Sequence, residues 1–230
     1  MQKHEQKLDF SLILASSVHD MKNSVGMLLA TLEEFIADQG GETDQVDPRL
    51  STLQYEASRI NGELVELLSV YRMQGDRLPV HIEENYPSDT LDDQVARNDM
   101  LLQMRGVAVD IDCDHDLHWY YDNELVGGVV HNIIVNCARY TKDKLLLQVR
   151  ETEGELCIAI ADNGGGYPPD MINNPLVRND GVNFETGSTN LGLFFAASVA
   201  AMHKKNDHCG RIELLNQGLL GGGEFRLYLP

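Results

Sequence analysis

Residues 155–168 read ELCIAIADNGGGYP, and this stretch decides the fold. An apolar run of strand character ends at Asp162 and passes into three consecutive glycines, Gly164, Gly165 and Gly166. Glycine lets a backbone approach another group closely and take positive φ, so a strand of this kind ends in a tight, open loop. Upstream, KLLLQVRET (144–152) alternates as a second strand, and Glu153-Gly154 supplies the turn of a hairpin. Working outward, VHIEE (80–84) and VAVDID (107–112) read as strands, as do segments near 210–216 and 223–229. Helical patterns cover 88–106, with Ser88 or Asp89 as cap, 121–141 and 190–205. The mixture predicts an α+β sandwich with helices on one face of a mixed sheet.

The N-terminal third follows a different rule. Apolar residues fall at Leu14, Val18, Met21, Val25, Leu28, Leu32 and Phe35, alternating four and three apart as in the seam of packed helices. QGGETDQVD (39–47) breaks the pattern, and Asp47-Pro48 offers a cap followed by proline at the first helical position. A second seam runs through Leu50, Leu53, Ala57, Ile60, Leu64, Leu67 and Tyr71. The pair reads as a helical hairpin. One hairpin buries little alone, so two chains closing a four-helix bundle are expected, making a homodimer. The expected organisation is 1–73 helical hairpin, 74–79 linker and 80–230 sandwich domain.

Composition narrows the partners. Lys and Arg number 18 against 36 Asp and Glu, a formal charge of −18, which disfavours nucleic acid and anionic membrane. The densest basic site is Lys204-Lys205. Cys113, Cys137, Cys157 and Cys209 stand far apart without metal spacing and read as reduced packing residues. No apolar run reaches the roughly 18 residues of a membrane span, and the start of the chain lacks a signal-peptide pattern. A cytoplasmic chain without sensor domain or membrane anchor is the expectation.

Three clusters carry candidate chemistry. His19 sits beside the first seam, followed by Asp20, with Asn23 one helical turn on. An unprotonated imidazole can attack phosphorus, a neighbouring carboxylate can take the other ring proton, and a carboxamide can orient water. HNIIVNCARYT (131–141) puts Asn132 and Asn136 on one helical face, suitable hard ligands for Mg2+, with Arg139 in reach of the same phosphates. Asp162 at its strand end can accept a hydrogen bond from an exocyclic amine such as that of adenine. GSTNLGLFFAA (187–197) leads into a helix N-terminus suited to phosphate oxygens, and MINNPLVRNDGVNFE between them reads as a lid.

The succession HDMKN, NIIVNCARYT, DNGGGYP and STNLGLFFA resembles the H, N, G1 and G2 boxes of two-component sensor histidine kinases, and GGGEFRLYLP resembles the last strand of their catalytic domain. The resemblance runs from about Leu8 to Pro230. It implies a dimeric phosphotransfer hairpin followed by a Bergerat-type ATP-binding domain. By position it implies His19 as phosphoacceptor, Asp20 as its general base and Asn23 as the residue used in dephosphorylating a partner. Asn136 would ligate Mg2+, Asn132 would support the phosphates, Arg139 would contact them and Tyr140 would pack near the base. Asp162 would read adenine, while Gly164, Gly166 and Gly192 would shape the pocket.

The activity so implied is autophosphorylation of His19 by ATP, transfer to an aspartate on a response regulator receiver domain, and removal of that phosphate. A separate sensor protein would supply the input. The sequence departs from the family at Ser24-Val25, where proline is frequent, at Gly165, and at Asn190, where G2 usually has glycine. Alternatives are a histidine phosphotransferase with a degenerate ATP site, a regulatory pseudokinase, and a serine kinase of the anti-sigma type.

Overall fold

The computed structural model describes Val18, residues 21–31, six positions between Leu53 and Leu64, residues 79–173 and residues 191–230. The chain divides into two compact units, Met1–Leu78 and Pro79–Pro230. In the first, the described residues are helical, including all of 21–31. Val18 is buried there, whereas Met21, Leu28, Leu53 and Ile60 are 55%, 65%, 59% and 43% exposed. His19 and Asp20, the seam residues Leu14, Leu32, Phe35, Leu50, Leu67 and Tyr71, and 74–78 of the proposed linker lie outside the described residues, as do 174–190 with Asn190.

The second unit is built on a five-stranded mixed sheet. Its strands are β2 (Ala108–Asp112), β4 (Lys144–Thr152), β5 (Glu155–Asp162), β8 (Arg211–Asn216) and β9 (Gly223–Leu229). They lie in the order β2-β4-β5-β9-β8, with β2 parallel to β4 and every other pair antiparallel. The β4–β5 hairpin turns at Glu153-Gly154, with φ of 54° and 81°. Short strands β1 (Glu83–Asn85) and β3 (Trp119–Tyr121) pair with each other, as do β6 (Lys204–Lys205) and β7 (His208–Cys209).

Helices α1 (Pro87–Arg97) and α2 (Asp99–Arg105) pack on α3 (Asn123–Tyr140), which with α5 (Leu191–Met202) packs on the sheet, and α4 (Pro169–Asn173) follows the glycine loop. Leu145, Leu147, Leu156, Ile158, Ile160, Phe225 and Leu227 are fully buried, as are Val126, Val129 and Ile134 of α3 and Val199 of α5. At roughly 25 cal/mol per Å2, burial of such side chains is the main force holding helices to sheet. The strands alternate in β2 and β4, and their other face carries the ion pairs Lys144–Asp110 (2.8 Å) and Arg150–Asp112.

Several boundaries differ from expectation. The expected helix over 88–106 is two helices, and its N-cap is Tyr86 with Pro87 at the first position, not Ser88 or Asp89. Proline needs no hydrogen-bond partner there. The break falls at Asn98, whose Nδ2 donates to the Gln94 carbonyl (2.7 Å) and meets His131 Nδ1 (3.0 Å). Gly106, at φ 65°, closes α2. The first strand begins at Glu83, because the His81 amide is taken by the Asp122 carboxylate (2.8 Å). The expected helix over 121–141 begins at Asn123 after the Asp122 cap, with Tyr121 in β3, and that over 190–205 ends at Met202.

Candidate functional site

Asp162 ends β5 and is only 6% exposed. Its Oδ1 accepts hydrogen bonds from the amides of Gly164 (2.6 Å) and Gly223 (3.3 Å), and the Gly222 amide donates to its main-chain carbonyl (3.1 Å). Oδ2 accepts none among the described residues. That oxygen is left to accept a hydrogen bond from a ligand.

Glycines make this cradle possible. A Cβ at Gly164 would stand 2.2 Å from the Tyr140 carbonyl oxygen, and one at Gly222 would stand 2.5 Å from Asp162 Oδ1. A Cβ at Gly223 would stand 2.9 Å from Asp162 Oδ2, filling the space that oxygen faces. Gly166 takes φ 77° and lies against Asn216.

The second wall is α3. The Asp122 side chain caps it by accepting from the Leu125 amide (3.0 Å), and His203 Nε2 accepts from the Asp122 amide (3.0 Å). Along α3, Asn136 Nδ2 donates to Asn132 Oδ1 (2.7 Å). Asn132 is buried and Asn136 exposed, so Asn136 keeps its own carbonyl oxygen for a ligand. Arg139 lies over the Tyr140 ring at 5.9 Å, and Tyr140 is exposed at the C-terminal end of the helix. From α5, Gly192 meets Asn132 directly: a Cβ there would stand 2.6 Å from both carboxamide terminal atoms.

The structure therefore brings Asn132, Asn136 and Gly192 together, and sets Asp162 and Gly164 beside Tyr140. Asn23 lies exposed on a helix of the first unit. Burial and the nearby Asp162 push the Cys137 thiol upward, so it stays protonated. Burial likewise keeps the Tyr167 phenol neutral. His131, at the head of the asparagine segment, is held down to about 4, first by burial and then by Arg97.

Residues 121–230 match the family described as histidine kinase-, DNA gyrase B-, and HSP90-like ATPase. Residues 121–230 are a histidine-kinase-type ATPase domain. The chain as a whole aligns over 98% of its length, at 26% identity, with sensor protein SrrB of Staphylococcus aureus strain N315, spanning 38% of that relative. Among solved structures it resembles the Acinetobacter baumannii histidine kinase AdeS, with a TM-score of 0.60 at 19% identity over 92% of this chain and 96% of that one. It also resembles full-length ShkA in complex with AMPPNP, with a TM-score of 0.63 at 16% identity over 94% of this chain and 45% of that one. These two likenesses establish the fold.

Three residues of the ATPase domain escape sequence reasoning. Asn163 Oδ1 accepts from Thr141 Oγ1 (2.8 Å) and from the amides of Lys142, Asp143 and Lys144 (3.2 Å each), pinning the exit of α3 beside the glycine loop. Asn216 clamps Tyr167, accepting from its amide (2.7 Å) and donating to its carbonyl (2.8 Å). Glu224, buried, accepts from the Leu219 amide (2.7 Å) and Arg226 Nε (2.6 Å), holding the turn that presents Gly222 and Gly223. Asn163, within DNGGG, carried a local signal; Asn216 acts across 49 residues, and Glu224 acts within its own turn.

Proposed function

We propose that the protein is an ATP-dependent protein histidine kinase of the cytoplasm, phosphorylated on His19, that passes the phosphoryl group to an aspartate of a response regulator receiver domain. The observation that carries this reading is Asp162 Oδ2: a strand-end carboxylate oxygen that accepts no hydrogen bond among the described residues, flanked by Gly164, Gly222 and Gly223. Such an acceptor suits the exocyclic amine of adenine. The Tyr140 carbonyl borders the same loop, with Arg139 over the Tyr140 ring, and Gly164 and Gly166 give the loop its shape. The relatedness to sensor protein SrrB supports the same class.

The residues fit Mg2+ bound with the nucleotide. Asn136 would supply a carboxamide oxygen as ligand, with phosphates and waters completing the shell. Bound there, the cation would offset phosphate charge. Asn132 orients Asn136 and is itself backed by Gly192, and Arg139 is placed to contact phosphates. His19 would act as nucleophile through a neutral ring nitrogen, forming a P–N bond as the bond to the ADP leaving group breaks, with Asp20 accepting the other ring proton. Asn23 would orient water against the phosphorylated regulator.

We read the first unit as the dimerisation and phosphotransfer hairpin (1–73), joined by a linker (74–79) to the ATP-binding domain (80–230). Met21, Leu28, Leu53 and Ile60, large apolar seam residues left exposed within one chain, support a homodimer.

The test is incubation of the pure protein with γ-labelled ATP and Mg2+. Label on the protein that is acid-labile and absent from His19→Ala is the expected result. Calorimetry showing no ATP binding to the unmodified protein would replace this reading with a phosphotransferase.

A further inference from the structure

At the end of the second unit away from Asp162 lies a groove of about 490 Å3, lined among others by Ile82, Trp119, Tyr120, Lys204, Lys205 and Pro230. Gly223, beside Asp162, begins β9, and Pro230 follows its last residue. Seven strand residues at about 3.4 Å each put roughly 20 Å between the two places. The groove is no part of the proposed nucleotide site.

Its walls come from short elements. β6 and β7 form a tight hairpin with Asn206 at φ 56°, and Lys205 reaches Trp119 of β3. Lys205 Nζ stands 5.8 Å from the centre of the Trp119 ring. Among the described residues neither lysine pairs with a carboxylate. The nearby Glu84 is occupied by the Tyr120 hydroxyl (2.9 Å). His203, at the floor, has both ring nitrogens satisfied, by the Val199 carbonyl (2.8 Å) and the Asp122 amide (3.0 Å).

We propose that this groove binds a small aromatic anion, with a planar apolar body and one carboxylate. The volume lies within the range of small-molecule sites, about 300–1,000 Å3. Trp119, Ile82 and Pro230 offer apolar surface to a flat ring. Two ammonium groups at one edge, paired with no carboxylate among the described residues, supply charge complementarity in a chain of net charge −18, where basic pairs are rare. An anion at Lys205 places its ring alongside the indole, because the ammonium already sits over that indole. A long acidic polymer would meet the repulsion of the whole surface, whereas a single carboxylate is screened from it beyond about 8 Å at physiological salt.

Trp119 is the chain's single tryptophan, so its indole N–H gives one resolved nitrogen–proton NMR signal in the full-length protein. The probes are 2-naphthoate and its neutral counterpart 2-naphthamide. A saturable shift of the Trp119 signal by 2-naphthoate is expected, with Kd of about 1 mM or tighter, as a fragment of this size permits. Naphthamide should bind about tenfold more weakly. The double variant Lys204→Gln with Lys205→Gln should weaken naphthoate about tenfold and leave naphthamide unchanged. Both lysines are exposed, so the fold should survive, and the remaining amide spectrum checks that. No saturable shift, equal affinity for the two probes, or an unaltered naphthoate Kd in the double variant would each overturn the proposal.

Discussion

At the scale of single residues, Asp162 gathers more of the site than any other side chain. Its Oδ1 is spent on the amides of Gly164 and Gly223, so only Oδ2 remains for a ligand. Asp162→Ala should weaken ATP binding by about 1–3 kcal/mol, the cost of deleting one partner of a buried hydrogen bond, measured by calorimetry. Gly164→Ala should act on folding instead. Its Cβ would collide with the Tyr140 carbonyl, main-chain atoms that cannot swing aside, and overpacking of this kind costs about 1–3 kcal/mol. A thermal scan showing an unchanged midpoint would contradict the close approach. In the first unit, Asn23→Ala should leave autophosphorylation intact and slow dephosphorylation of the cognate regulator. Unchanged dephosphorylation, in an assay where the unmodified protein accelerates it, would make Asn23 an ordinary polar helix residue.

At the scale of elements, α3 is held at both ends. Its N-terminus is capped by Asp122 and tied to α5 through His203, and its C-terminal exit is gathered by Asn163. Between these anchors Asn132 and Asn136 keep a fixed rotation toward Gly192. The Asn216 clamp on Tyr167 does the same for the glycine loop. Asn216→Ala should therefore lower ATP affinity several-fold while costing only about 1 kcal/mol of stability, since the freed main-chain groups are partly reached by water. Equal affinity for ATP in variant and parent would remove Asn216 from the site.

At the scale of the whole molecule, acid should loosen the second unit before its carboxylates titrate fully. His131 titrates near 4 in the folded state against an ordinary value of 6.5, and burial lowers His203 as well. Between those pH values the unfolded chain binds protons that the folded chain refuses. Stability is then full above about pH 6.5 and falls as pH drops, by up to about 3 kcal/mol for His131. Urea midpoints at pH 7.5 and 5.0 should differ, and His131→Asn should flatten the difference; an equal slope in the variant would assign it elsewhere. The exposed seam predicts that Leu28→Asp dissociates a dimer, read by light scattering.

The sequence by itself determined the features that depend on neighbours a few residues away. The strand ending at Asp162, the Glu153-Gly154 turn, the two asparagines on one face of α3 and the mixed α+β order all follow from local periodicity and turn chemistry. The tertiary structure decided what depends on partners far along the chain. Asn98 breaks a continuous helical pattern because His131, 33 residues away, receives its carboxamide. The three-residue β1 and β3 exist only because each finds the other. The closing of Asp162 by Gly222 and Gly223, and of the glycine loop by Asn216, spans 49 residues or more. Periodicity records which face of an element is buried. It holds no record of which distant backbone that face will meet, and hydrogen bonds between such distant groups made the site.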